Sequence, residues 1–341
     1  MASAPEPSLA PPTRRRLGRW LKWSLPALAL VLGGVWLDRR LTFAALFLRF
    51  EGGKLGTSWL SQYRARKVTT EDWRLAFGRR GRLYVPAGGA TRGLLLVHGM
   101  HPQGIDEPRL TGFARSLAAS GVVVGTPELP DLMRFQVSRT DVVAVADAAK
   151  QLRRELGGPG VTVFGVSFGG GLALRAACEP ALSGGFGNLI ALGAPADLVR
   201  VARFALGETV EGPDGKAFPL KPHAYARKAM LHFFLGSELA VPPGPGRDEV
   251  LRLALKARTP ELAALSPSAC RTPITVPVHL AHGLGDNVIP YTETLWLARQ
   301  LPTSRPPEVL VSPAISHAEY APPTLAQRFQ LIEFMAKAAD W

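Results

Sequence analysis

From residue 68 onward, short apolar runs alternate with longer stretches in which apolar positions return every three or four residues. That is the texture of buried strands separated by amphipathic helices. Gly81 to Gly88 (GRLYVPAG) reads as a strand entering a turn, and Leu94 to Gly99 (LLLVHG), Val122 to Leu129 (VVVGTPEL) and Val161 to Val166 (VTVFGV) read as buried strands. Asn188 to Pro195 (NLIALGAP), Val276 to Gly283 (VPVHLAHG) and Glu308 to Pro313 (EVLVSP) complete the set. Helical periodicity marks Pro108 to Ser120, Asp141 to Leu156, Phe168 to Cys178, Tyr291 to Leu301 and Thr324 to Ala338. Asp106 and Glu107 stand where they cap or charge the first of these helices, and Pro108 occupies an early helical position. The alternation predicts an α/β fold, a doubly wound and mostly parallel sheet covered on both faces.

Residues 197–271 break the rhythm. Helical stretches around ADLVRVARFAL, PHAYARKAMLHFFLG and RDEVLRLALKARTPELAAL are joined by Gly/Pro-rich loops, with no convincing strand. The segment reads as a helical cap inserted between two parts of a core, 68–196 and 272–341. No internal repeat is evident.

The first 67 residues have another character. Residues 1–19 are Pro/Ala-rich and then basic, which predicts a disordered N-terminus. Within residues 20–50, Trp23 to Leu37 carries no charge, and LTFAALFLRF follows as a segment suited to lie on a bilayer. An uncleaved membrane anchor fits this stretch best. A cleaved signal lacks a small-x-small site, and a monotopic or purely soluble helix remains open. Arginines on both sides leave the sidedness undecided.

Composition changes little in this picture. With 341 residues, 47% apolar and 20% charged, the chain can bury a large core and is not disordered as a whole. The net charge of +13 looks like a nucleic-acid signature until it is located. Met1 to Arg80 holds 15 Lys or Arg against 5 Asp or Glu, so +10 belongs to the N-terminal segment, beside its apolar run. That distribution suits an anionic membrane surface and not a nucleic-acid groove. Cys178 and Cys270 are the only cysteines; both read as small buried residues, and whether they pair is open. Neither a metal-ligand spacing nor a phosphate-cradling loop is present, so neither metal nor cofactor is expected.

The candidate chemistry lies at strand ends. Gly165-Val-Ser167-Phe-Gly169 joins the VTVFGV strand to the following helix, where small neighbours permit the sharp turn that exposes a serine hydroxyl. LLLVHGMHPQG carries His98-Gly99, HLAHGLGDNVIP carries Asp286, and SPAISHAEY carries His317, 31 residues later. These four motifs, in this order, resemble the α/β-hydrolase superfamily over roughly residues 70–341.

The resemblance implies Ser167 as nucleophile, His317 as its base, Asp286 as the acid that orients the base, and the Met100 and Phe168 N–H groups as the oxyanion hole. Asp197, after the NLIALGAP strand, is the alternative acid. His98 is expected to be structural, while His101 either lines the substrate entrance or is a polar loop residue; His223 and His232 fall in the cap. The expected activity is hydrolysis of carboxylic esters, with lipid-like esters favoured by the anchor and the apolar cap. Thioester hydrolysis, peptide cleavage or acyl transfer on the same triad is the alternative. So is a non-catalytic binding protein of this fold, or a basic membrane-surface adaptor working through residues 1–67. Oligomeric state is not legible.

Overall fold

The computed structural model describes residues 17–207, 209–235, 244–315 and 323–339. Ten strands occur among them: β1 (Val68–Arg74), β2 (Arg80–Pro86), β3 (Gly93–Val97), β4 (Val123–Pro127), β5 (Val161–Val166), β6 (Phe186–Leu192), β7 (Val210–Glu211), β8 (Ala217–Phe218), β9 (Val278–Gly283) and β10 (Glu308–Ser312). Eight of them form one sheet in the order β1-β2-β4-β3-β5-β6-β9-β10. The strands from β4 to β10 run parallel, and β2 is antiparallel to both its neighbours. The doubly wound, mostly parallel sheet is therefore present.

The helices are α1 (Leu17–Glu51), α2 (Gly53–Gly56), α3 (Pro108–Ala119), α4 (Pro130–Met133), α5 (Arg139–Leu156), α6 (Phe168–Ala177), α7 (Leu198–Ala205), α8 (Ala224–Leu235), α9 (Pro245–Leu265), α10 (Thr292–Gln300) and α11 (Leu325–Ala338). They divide the apolar interior in two. Because side chains alternate across a strand, Leu95 and Val97 of β3 face α5, α6 and the helices of the 197–271 insertion, whereas Leu94 and Leu96 face α1, α3 and α11. Both faces of the central strands are thus covered, which is why they read as unbroken apolar runs.

Capping fixes the helix starts. Glu107 accepts the Leu110 N–H at the head of α3, Ser138 accepts the Asp141 N–H at α5, and Thr324 with Gln327 forms a capping box on α11.

Four expectations need correction. Val68–Arg74, unassigned in the sequence, is an edge strand paired in register with β2; only Trp73 is buried, so its polar positions hide the period. The insertion, expected without strands, carries the two-residue ribbon β7-β8.

The third correction concerns the anchor. Among the described residues no helix is long and apolar enough to cross a membrane. The uncharged run Trp23 to Leu37 extends about 22 Å as helix against a hydrocarbon thickness of about 30 Å. LTFAALFLRF, expected to lie on a bilayer, continues α1 and buries Phe43, Ala45 and Leu46 against α3 and α11. Arg40 pairs with Glu333 of α11 and stacks on Trp36, and Arg49 donates to the Ser61 carbonyl at 2.6 Å. The turns before this segment stand free, with Leu30 77% exposed and Val31, Leu32 and Val35 also bare. Of the stretch 1–19 expected to be disordered, residues 1–16 lie outside the described residues, and Leu17 to Arg19 instead form the start of α1.

Lastly, the two cysteines are buried as expected but not as independent core residues. Cys178, at the end of α6, forms a disulfide with Cys270, just beyond α9. The bridge closes over the whole insertion, with a sequence separation of 92.

Candidate active site

Strand β5 lies in the middle of the sheet and delivers Ser167 at its carboxyl end, directly before α6. Ser167 has φ 56° and ψ −130°, a conformation that costs a residue with a side chain on the order of 1–3 kcal/mol. Local packing enforces it. The Ser167 N–H donates to the Leu192 carbonyl at 2.7 Å, and its own carbonyl accepts from Gly170 at 2.9 Å. Gly169 is required by close approach: a Cβ there would overlap the His98 carbonyl of the neighbouring loop. The Ser167 hydroxyl does not cap α6.

The loop after β3 supplies the opposite wall. Buried His98 is structural, as expected: Nδ1 donates to the Gly99 carbonyl at 2.7 Å, and Nε2 accepts the Leu129 N–H at 3.1 Å. Burial holds its pKa below the ordinary histidine value, which suits the neutral ring these two bonds require. The next residue but one, Met100, has its carbonyl taken by the Tyr225 hydroxyl from α8. Neither the Met100 nor the Phe168 N–H donates to a described residue. Phe168 is the first residue of α6, whose N–H has no partner within its helix.

Between these walls lies a cavity of about 310 Å³, reaching Ser167 from a rim formed by His101, Glu107, Arg109, His223 and Tyr225. The structure thus brings His101 to the cavity, and it also brings His223, which no motif separates from His232. A second space on the far side of Ser167, bounded by Phe168, Val201, Ala229, Met230 and Val288, is apolar and holds about 10 Å³, roughly one water.

Asp286 follows β9 and is 3% exposed. Its Oδ1 accepts from the Val288 and Ile289 N–H groups, both at 2.9 Å, and its Oδ2 lies 3.3 Å from Nε2 of buried His282. That histidine is itself held: Nδ1 meets the Thr294 hydroxyl at 2.7 Å, and Nε2 donates to the Ile289 carbonyl at 2.9 Å. The acid loop reaches the serine side of the molecule through Val288, and the His223 N–H donates to Asn287 at 2.8 Å.

Asp197, the alternative acid, has a capping position: Oδ1 accepts from Val199 and Arg200 at the head of α7. Its backbone is tied to buried Glu293, which also pairs with Arg200. His317 lies outside the described residues. The described chain approaches that segment at Ile315, packed against Gly283 at the end of β9, with the Leu284 N–H bonded to the Ser312 carbonyl at 3.1 Å. Among the described residues no cluster of His, Cys, Asp or Glu is arranged to hold a metal ion.

Arg109, Glu107, His223 and Tyr225 on the rim were not singled out as cavity residues by sequence reasoning. Glu107 had been read through its cap and the other three carry no motif. Only the folding of the insertion over the β3 loop joins them.

No family model matches the sequence, and no curated protein is significantly similar to it. Solved structures do match. DphMB1 superposes with a TM-score of 0.51 at 18% identity, covering 80% of this chain and 86% of its own. A Staphylococcus aureus protein assigned as an esterase superposes at 0.52 with 16% identity, covering 81% and 84%. A puromycin hydrolase superposes at 0.51 with 17% identity, covering 83% of this chain but 40% of its own, so this chain spans about two fifths of that enzyme. At such identities the likeness establishes the fold, and the chain has the α/β-hydrolase fold.

Proposed function

We propose that the protein is a serine hydrolase that cleaves carboxylic esters through an acyl-enzyme on Ser167. The observation that carries this reading is the strained Ser167 backbone at the carboxyl end of a central strand, opening on a cavity, with the Met100 and Phe168 N–H groups left without a partner among the described residues. Strain of this kind persists where surrounding structure imposes it, and exposing a nucleophile is its usual use.

In this reading Ser167 Oγ attacks the ester carbonyl while His317 takes its proton. The oxyanion that forms accepts from Met100 and Phe168 N–H. Collapse expels the alcohol, which takes the proton from His317, and water then repeats the sequence in reverse roles, releasing the acid and restoring the serine. Asp286 orients His317 and stabilises its cation; the backbone N–H bonds on Oδ1 keep that carboxylate fixed. The same steps serve a thioester or an amide. A long lipid tail finds little room on the apolar side of Ser167, where the open space is about 10 Å³, so short acyl groups are the better fit.

Turnover of 4-nitrophenyl esters, from acetyl to palmitoyl, by the full chain and by Ser167→Ala tests the reading. The expected result is a short-chain optimum and a loss of about three orders of magnitude or more in the variant. Equal rates in the two proteins, with no fluorophosphonate label on Ser167, would leave a binding protein of this fold.

A further inference from the structure

Among the described residues, the rim of the cavity beside Ser167 has its backbone and carboxylate acceptors hydrogen-bonded and several side-chain donors left over. Among the described residues lining the cavity the one carboxylate, Glu107, accepts on both oxygens: Oε1 from Arg109 Nε and Oε2 from the Leu110 N–H, both at 2.8 Å. The carbonyls follow the same rule. Gly99 accepts from His98, Met100 from Tyr225, His101 from Gly104 and His223 from Ala226.

The histidines are set as donors by their backbone. His101 Nδ1 accepts the Gln103 N–H at 3.2 Å, and His223 Nδ1 accepts the Tyr225 N–H at 3.1 Å. In a neutral imidazole the proton then resides on Nε2. Neither Nε2 has a partner among the described residues, and cavity-lining Arg109 bonds them only through its side-chain Nε, which leaves both its terminal nitrogens available. Desolvation keeps His101 on the neutral side of its ordinary titration, so this donor set does not depend on protonating it.

Resting on the hydrolase reading above, we propose that this rim is an anion subsite. The substrate is an ester that carries a carboxylate, held by Arg109 with His101 and His223 while the ester carbonyl lies at Ser167. A guanidinium whose Nε is already tied presents its terminal pair as a fork, the geometry a carboxylate accepts. Arg109 is 67% exposed and neighbours Glu107, so the discrimination is about tenfold and not larger.

Two measurements separate the subsite from the catalysis. In the first, kcat/KM is compared for mono-4-nitrophenyl adipate and its methyl ester, which differ in one charge. The wild-type protein is expected to prefer the acid about tenfold. The preference falls with added salt, disappears in Arg109→Gln and reverses in Arg109→Glu. In the second, monomethyl adipate and dimethyl adipate are titrated calorimetrically into the Ser167→Ala protein, where no turnover interferes. Tighter binding of the acid, lost in Ser167→Ala/Arg109→Gln, upholds the subsite even if Ser167 proves not to be a nucleophile. Equal binding of the two adipates, or a ratio of rates unmoved by Arg109→Glu, overturns it.

Discussion

Two carboxylates follow neighbouring parallel strands, and they are hydrogen-bonded differently. Asp197 caps α7 with Oδ1 and has its N–H tied to Glu293, a role in which an amide oxygen substitutes tolerably. Asp286 is buried and receives two backbone N–H bonds on Oδ1, while Oδ2 lies 3.3 Å from His282 Nε2. In the proposed mechanism Asp286→Asn is expected to reduce kcat by about 10³ to 10⁴-fold, because an amide would not hold the base in its productive tautomer. Asp197→Asn should cost less than about fivefold and at most about 1 kcal/mol of stability. Active Asp286→Asn with inactive Asp197→Asn would exchange the roles. Ser167 and Asp286 could be singled out from the sequence because each sits in a short motif at a strand end. Arg109, His223 and Tyr225 were not, since they come from the start of α3 and from the insertion, and nothing local says they meet.

Among the elements, α5 carries a charge problem at its start. Asp141 accepts the Leu132 N–H at 3.0 Å through Oδ2, but Oδ1 meets no donor, and the side chain is buried beside Asp131. Burial pushes its pKa from 3.8 to about 6. The folded protein thus binds this proton more tightly than the unfolded chain. The associated stability is fully present below about pH 4 and is lost as pH rises through about 6, a change of up to about 3 kcal/mol. Urea denaturation at pH 5 and pH 7.5 should show a decline that Asp141→Asn flattens; parallel changes in the two proteins would contradict it. Element identity was the most legible part of the sequence, because β3 to β6 are buried on both faces and their apolar runs are continuous. Strand β1 escaped since its Thr, Glu and Asp positions face solvent at the sheet edge. Helix α1 was misjudged for a different reason: an apolar segment looks alike whether it meets lipid or, as Phe43 and Leu46 do, the outside of a sheet domain.

At the scale of the molecule, the two apolar interiors are separated by the sheet, and the insertion belongs to only one of them. The disulfide reinforces that side. In the chain-entropy account, closing a loop with a sequence separation of 92 raises stability by about 4 to 5 kcal/mol. The double variant Cys178→Ser/Cys270→Ser is accordingly expected to unfold at clearly lower urea concentration, and the native protein should offer no thiol to Ellman's reagent before reduction. A free thiol in the native protein, or an unmoved midpoint, would count against the bridge. The sequence left the pairing open because a separation of 92 carries no information about distance; the contact depends on the chain returning from α9 to the end of α6.

That bridge also makes residues 178–270 a covalent ring threaded through β6 and the roof of the cavity. A protease that nicks the roof once would not release anything. The two pieces would stay joined, migrate together until reduced, and keep β6 docked between β5 and β9, so a cut protein is expected to retain its sheet and lose only the shape of its rim.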